Sequence, residues 1–507
     1  MPSRLFMLLL LLVCLFGLSI PVLAQGEELP MIQWSNCPFD IPEGEVEGQT
    51  LDCGTLITYE DHFSDEDTQQ VELAFAILHS LNEPLPDPVI YLDGGPGGSA
   101  LISVEGWAQS SVRTDNDLIL LDQRGTGYSL PSLNCIEVEG DDLGDGMAAQ
   151  QACYDRFVDE GINLNAYNSA QSAADVSELM VLLQAERHYS EYNLLGISYG
   201  TRLALTMLRD TPDGIRSVII DSVYPPVVNA YEMQSNNQYR GLRALFDGCF
   251  ANPDCDNAYP DLEAVFYDTY VSLDESPGVY ETEDPDTGEV SEKELTGGSF
   301  LDLIVQSLYS TSAIPELPLV IYEVSEGNYG IVSLIDSGDI ADGNYSRSAA
   351  LRQDDQGDIS DSEGMFNAVE CKEELPFNDL DAAVEASADI PDPIHDYLVE
   401  AVETQFTICE MYGLDPADEV ETEAVYSDVP TLVLAGDYDP ITPPEDAQIA
   451  AETLSNSYYF EFPGHGHGIT DSDECAQIVI AQFLADPTVE PDRSCIADYE
   501  GPAFIIR

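Results

Sequence analysis

The sequence predicts an α/β fold: a mostly parallel, doubly wound sheet interrupted by a mainly helical insertion. Three observations carry that expectation. Short apolar runs bounded by turn residues recur in the first half of the chain and again near its end, helical periodicity fills the gaps between them, and a long acid-rich stretch separates the two groups. Near-continuous apolar runs suit strands buried on both faces of a parallel sheet, and their alternation with helices gives the doubly wound arrangement.

In chain order, the first group of expected strands is 71–78, 88–92, 117–122, 192–195 and 217–221. Between them, 170–186 places Val176, Leu179, Leu182 and Leu183 at helical spacing, and 201–208 opens another helix. The second group supplies strands at 430–435 and 458–462, then a helix at 475–484. Residues 229–425 form the insertion, with helices expected at 300–310 and 391–405. Its acidic runs 281–294 and 354–363 read as solvated loops, because neither has the alternating Asp spacing of a calcium loop. The expected division is therefore a leader 1–24, a first core part 25–228, a lid 229–425 and a second core part 426–507.

Composition excludes several function classes. With 95 Asp+Glu against 16 Lys+Arg, the formal charge is −79, a field that repels nucleic acid and anionic lipid. Hydrophobic residues at 44% supply a core that disordered chains lack. Lys293 and Lys372 are the only lysines, and such an acid-rich, lysine-poor surface suits high ionic strength.

Arg4, the apolar run 5–20, Pro21 and Val22-Leu23-Ala24 have the layout of a cleaved export signal, with an uncleaved anchor as the alternative. Export implies a secreted, periplasmic or cell-surface location. Cys14 leaves with the leader. The remaining cysteines fall in close couples: Cys37 and Cys53, Cys135 and Cys153, Cys249 and Cys255, Cys371 and Cys409, Cys475 and Cys495. In an exported chain this reads as five local disulfides, and no Cys-x-x-Cys pair favours zinc.

Gly196-Ile197-Ser198-Tyr199-Gly200 follows an expected strand and precedes an expected helix. A serine on such a sharp turn has its hydroxyl forced outward, and the glycines allow the backbone to pass. It needs a base, and the base needs an acid to hold its tautomer. In folds with this elbow the partners follow in the order Ser, Asp, His. After the strand 430–435 come Asp437 and Asp439, and after them only His465 and His467. Residue chemistry leaves both choices open. The loop Asp93-Gly94-Gly95-Pro96-Gly97-Gly98 lies where one oxyanion-hole amide is expected, the other coming from the residue after the nucleophile. Gly95 and Tyr199 take those roles, with Gly94 in reserve.

Together these motifs resemble the prolyl and tripeptidyl aminopeptidase family of α/β-hydrolases. The resemblance rests on the 94–98 glycine loop, Asp122-Gln123-Arg124-Gly125-Thr126-Gly127, the 196–200 elbow, Gly436-x-x-Asp439-x-x-Thr442-Pro443 and Pro463-Gly-x-Gly-His467-Gly. Cys249 and Cys255 before Tyr259-Pro260 extend it into the insertion. It implies an α/β-hydrolase fold and a tripeptidyl-aminopeptidase-like C-terminal part, and it favours Asp439 over Asp437 and His467 over His465. Many prolyl relatives have His before the two glycines. Asp93 stands there in this chain, which is closer to the secreted tripeptidyl branch.

The expectation is a secreted serine exopeptidase acting on peptides with a free N-terminus through an acyl-enzyme, with Ser198, Asp439 and His467 as its triad. No cofactor or metal is required. Glu370, Glu373 and Glu374 are candidates to hold the substrate ammonium, and Arg124 reads as structural. The alternatives are a lidded esterase with the same triad, a metal cluster of His465, His467 and Asp471, and a binding protein on a hydrolase scaffold.

Overall fold

The computed structural model describes residues 29–64, 69–138, 146–283, 290–336 and 359–506. The expected leader lies outside them, as do 284–289 and 354–358 of the two acidic runs. Eleven strands are described: β1 (Met31–Ser35), β2 (Leu51–Tyr59), β3 (Gln70–Leu78), β4 (Val89–Leu92), β5 (Leu118–Leu121), β6 (Tyr192–Ile197), β7 (Ile215–Asp221), β8 (Gly278–Glu283), β9 (Val290–Leu295), β10 (Thr431–Gly436) and β11 (Ser457–Phe462).

Nine of them form one sheet in the order β1-β2-β3-β5-β4-β6-β7-β10-β11. Pairing is antiparallel from β1 through β3 to β5 and parallel from there to β11. The six parallel strands are the apolar runs. All four residues of β4 and of β5, and all six of β6 and of β10, are buried, as strands covered on both faces must be.

Alternation along β3 shows how the sheet is covered. Leu73, Phe75 and Ile77 pack with Val176 and Leu179 of the helix Ser169–Arg187 and with Leu203 and Met207 of the helix Tyr199–Asp210. Ala74, Ala76 and Leu78 face Trp107 and the helix Glu474–Ala485, through Val479, Ile480 and Phe483. Fully burying each large aliphatic side chain is worth about 1.5–3 kcal/mol, so these two layers dominate the sheet's stability. The helix Ser169–Arg187 starts where the Asn168 side chain accepts from the Gln171 amide, and it stops at His188, whose φ of 64° is left-handed.

Between β7 and β10 the chain runs through helices that build a further core. Leu242 and Phe246 of Ala230–Ala251, Phe266 of Leu262–Glu275, Phe300 and Ile304 of Gly297–Ser307, and Val320 of Leu317–Ser325 cluster there with Tyr438 and Phe504. Two expectations need correction. Segment 281–294 is not a loop throughout: β8 and β9 pair antiparallel with Tyr280 opposite Lys293 and Glu281 opposite Glu292. Its acidic side chains sit on an exposed ribbon, so composition hid the strands. At the end of the second run, Ile359 and Ser362 are buried, and Gly98 and Asp361 form an antiparallel bridge.

Each cysteine couple is closed as a disulfide: Cys37–Cys53, Cys135–Cys153, Cys249–Cys255, Cys371–Cys409 and Cys475–Cys495. Cys371–Cys409 joins the helix Glu363–Glu373 to the helix Asp392–Tyr412. No described helix is long and apolar enough to cross a membrane.

Candidate active site

Ser198, Asp439 and His467 follow the C-terminal ends of parallel strands β6, β10 and β11, the edge at which ligands of open α/β sheets bind. Ser198 follows β6 and caps the helix Tyr199–Asp210 with φ 57° and ψ −127°, a backbone conformation costly for a residue with a Cβ. Small neighbours make room for it. A Cβ on Gly200 would stand 1.9 Å from the Leu92 carbonyl oxygen, and one on Gly196 would stand 2.3 Å from the Gly200 carbonyl oxygen. Close packing at the elbow therefore requires glycine at both positions.

The 94–98 loop lies against this serine. A Cβ on Gly94 would come within 3.0 Å of the Ser198 Cβ and 3.5 Å of its Oγ. The Gly94 N–H donates to Asp93 Oδ1 at 2.8 Å, and the Tyr91 hydroxyl donates to the same oxygen at 2.6 Å. Gly95 has a φ of 105°, open to glycine. Burial pushes the Asp93 carboxyl up to about 6. The loop is gripped from the insertion: the Ser362 N–H donates to the Gly97 carbonyl at 3.0 Å, and the Ser99 N–H to the Ser360 carbonyl at 3.1 Å.

After β10, Asp439 is fully buried. Its Oδ1 accepts from the Ile441 and Thr442 amides at 2.9 and 3.0 Å, and its Oδ2 accepts the Thr442 hydroxyl at 2.7 Å. His467 Nδ1 lies 2.8 Å from the same Oδ2. Burial works against charge on both groups. The His467 charge and the shared hydrogen bond, with the two amides, outweigh it for Asp439 and hold that carboxyl below the usual range. For His467, burial is outweighed by Asp439 and then by Asp221, so the imidazole titrates above its ordinary value.

The insertion also holds the histidine loop. The His467 N–H donates to the Tyr309 carbonyl at 2.9 Å, the Gly466 N–H donates to Thr311 Oγ1 at 3.1 Å, and the Tyr309 ring packs 4.9 Å from the imidazole. A Cβ on Gly466 would stand 2.3 Å from the Leu308 carbonyl oxygen. Among the described residues, the hydrogen bonds of His467 run to Asp439, Thr442 and Tyr309 and not to the Ser198 hydroxyl.

The other members of each pair have separate partners. His465 Nε2 lies 2.9 Å from Asp473 Oδ2, which also accepts the Tyr499 hydroxyl. Asp437 accepts the Gly464 amide at 2.6 Å, and burial pushes its carboxyl up to about 6. His465 and His467 thus engage different carboxylates. Among the described residues no group of three or more His, Cys, Asp or Glu could hold a metal ion.

Glu370, Glu373 and Glu374 are buried together on and just beyond the helix Glu363–Glu373. Arg202, one turn beyond Ser198, reaches Glu373 at 3.0 Å and pairs with Glu374. Glu373 also accepts from the Ser169 hydroxyl at 2.7 Å, and that hydroxyl lies 2.9 Å from the Tyr199 hydroxyl. Tyr224 donates to Glu370 at 3.2 Å, and burial and then Glu374 push the Glu370 carboxyl up to about 8. Arg124 is buried in a bidentate pair with Asp175 at 2.7 and 2.8 Å. Sequence reasoning missed Arg202, Asp221, Ser222 and Tyr309. Asp221 carried a signal, as a carboxylate at the end of an expected strand. Nothing in the insertion's sequence pointed to Tyr309.

Two family models match the chain. One, described as alpha/beta hydrolase fold, covers residues 87–286, and the other, described as TAP-like protein, covers 396–495. Serine protease Hip1 of Mycobacterium tuberculosis strain H37Rv is 24% identical over 494 residues, spanning 91% of this chain and 90% of that protein. The putative hydrolase YuaR of Escherichia coli K12 is 24% identical over 499 residues, 92% of each chain. Tripeptidyl aminopeptidase of Streptomyces coelicolor is 26% identical over 168 residues, 29% of this chain and 30% of that protein. With an elbow serine and an Asp–His couple on the C-terminal edge of its sheet, the chain has the α/β-hydrolase fold, and its C-terminal part is similar to TAP-like proteins.

Proposed function

We propose that this protein is a serine hydrolase that cleaves peptides from a free N-terminus, through an acyl-enzyme on Ser198. The observation that carries the reading is the 2.8 Å contact between His467 Nδ1 and Asp439 Oδ2 on the sheet edge that also bears the strained Ser198 elbow. Asp439 fixes the tautomer and leaves Nε2 to accept the Ser198 proton as Oγ attacks the carbonyl. Substrate binding draws that pair together, as commonly happens when an unliganded site fills. The Gly95 and Tyr199 amides receive the oxyanion, because the Gly94 amide is engaged by Asp93. His467 then returns the proton to the leaving amine, and water attacks the acyl-enzyme by the same route.

The glutamate cluster suits an N-terminal ammonium. Arg202 already pairs with Glu373 and Glu374, whereas Glu370 meets the Tyr224 hydroxyl and is held near neutrality by burial. An arriving ammonium favours its ionised form and gains a charge-assisted hydrogen bond. Export by the N-terminal leader completes the reading. The test is hydrolysis of free and N-acetylated Ala-Ala-Pro and Pro chromogenic amides, with p-nitrophenyl butyrate and Ser198→Ala alongside. Turnover of free amides alone, lost in the variant, is expected. Ester turnover without amide cleavage would replace the peptidase by an esterase.

A further inference from the structure

We infer that Asp221, together with Ser222, is a positioning residue that anchors the base loop to the nucleophile; this rests on the roles proposed for Ser198 and His467. Asp221 ends β7 and is fully buried. Its main-chain carbonyl accepts the Ser198 N–H at 3.0 Å. Its Oδ2 accepts from the Ile469 amide, the Thr470 amide and the Thr470 hydroxyl, each at 2.7 Å. Ser222 Oγ accepts the Gly468 amide at 2.8 Å. Three consecutive amides after His467 are therefore held by two consecutive residues, and the first of these also holds the nucleophile's amide.

The backbone carries the mark of that duty. Ser222 has a φ of 57°, the same value as Ser198 at the end of the neighbouring strand. Such a conformation costs on the order of 1–3 kcal/mol in a residue other than glycine and persists where surrounding contacts impose it. Here the Ser222 N–H donates to the Leu434 carbonyl at 3.0 Å while its hydroxyl holds Gly468. One residue thus joins β10 to the base loop.

Charge gives Asp221 a second effect. The groups facing His467 are Asp439 and Thr442 from the β10 side, Asp221 from β7 and Tyr309 from the insertion, while Arg240 binds the Asp439 main-chain carbonyl. When His467 takes the Ser198 proton, the imidazolium meets two carboxylates. Asp221 lends its field without touching the ring nitrogen that Asp439 holds.

The test compares Asp221→Asn with the parent protein in two measurements. One is the rate of fluorophosphonate labelling and the kcat and KM on the amide substrate. The other is titration of the His467 imidazole by NMR with labelled histidine, in a Ser198→Ala background. A drop of about tenfold or more in labelling rate and kcat is expected, with KM little changed. The His467 titration and the acidic limb of kcat/KM should move to lower pH. Unchanged kcat and unchanged titration in a folded variant would overturn the anchor. If Asp221→Asn does not fold, Ser222→Ala and Thr470→Val each remove one bond and should lower kcat a few-fold, and unchanged kcat in both would overturn it equally. A parent protein that resists labelling would sink the serine-hydrolase reading, while the titration still decides the anchor.

Discussion

At Gly200 a methyl group has nowhere to go, since its Cβ would meet the Leu92 carbonyl oxygen at 1.9 Å. Gly200→Ala should therefore break the elbow, with loss of fluorophosphonate labelling and a lower melting temperature in the same preparation. Asp439→Asn keeps the shape and loses the tautomer control, so kcat should fall by about 10³–10⁴-fold with the melting curve little altered. The proposed mechanism needs a neutral imidazole, and His467 is held above its ordinary value of 6.5. Activity should thus rise with pH along a limb centred above 6.5, read from kcat/KM against pH. The elbow was legible in the sequence because glycine, serine and glycine at fixed spacing have a steric reason. The choice between Asp437 and Asp439, or His465 and His467, was not legible from residue type, because both members of each pair lie in one short turn. Three-dimensional partners separate them, with Asp473 taking one histidine and Asp439 the other.

Among the elements, the inner strands were readable from continuous apolar runs, whereas β1 and β2 were not. Met31–Ser35 is half-buried to exposed, so no apolar run marks it. Leu51–Tyr59 carries Cys53, Gly54 and Thr55 inside the strand, where a sequence reader expects a break. The ribbon of β8 and β9 lay hidden under acidic side chains for the related reason that an exposed two-stranded ribbon needs little hydrophobic pattern. The insertion's disulfide Cys371–Cys409 ties the helix carrying Glu370 and Glu373 to its neighbour across 38 residues. Replacing both cysteines by alanine should cost about 2–4 kcal/mol of stability and loosen that helix. Denaturant melts should register the first effect. The second should appear as a larger rise in KM for free peptides than fall in kcat.

Over the described residues, burial outweighs the neighbouring hydrogen bonds and cations at several carboxyls. Burial raises Asp93, Asp221 and Asp437 to about 6, Asp122 to about 7 and Glu370 to about 8. An acid whose folded value exceeds its unfolded value binds more protons when folded, so stability falls as pH rises through the interval between the two. Asp473 opposes this trend only at the acidic end. Its carboxyl is lowered to about 2 against burial, by hydrogen bonds from His465 and Tyr499, and the stability it adds is lost as pH falls from its unfolded value toward about 2. The net expectation is a melting temperature higher near pH 5 than near pH 8 in dilute buffer. The charge of −79 acts in the same direction, and molar salt, by screening repulsion, should narrow the difference. Calorimetry at two pH values and two salt concentrations checks both signs.

The grip of the insertion on both loops has a consequence for how the protein comes into being. Ser198 and the strand beneath it are complete before residue 222 of the chain, yet Tyr309, Thr311 and Ser360 to Ser362 must be in place to hold the histidine and glycine loops, and His467 itself arrives near the C-terminus. With the proposed triad, a chain halted anywhere in that interval possesses a nucleophile and no base. Hydrolytic power on this reading is an all-or-none property of the finished polypeptide, so nascent and truncated chains are inert toward the peptides around them.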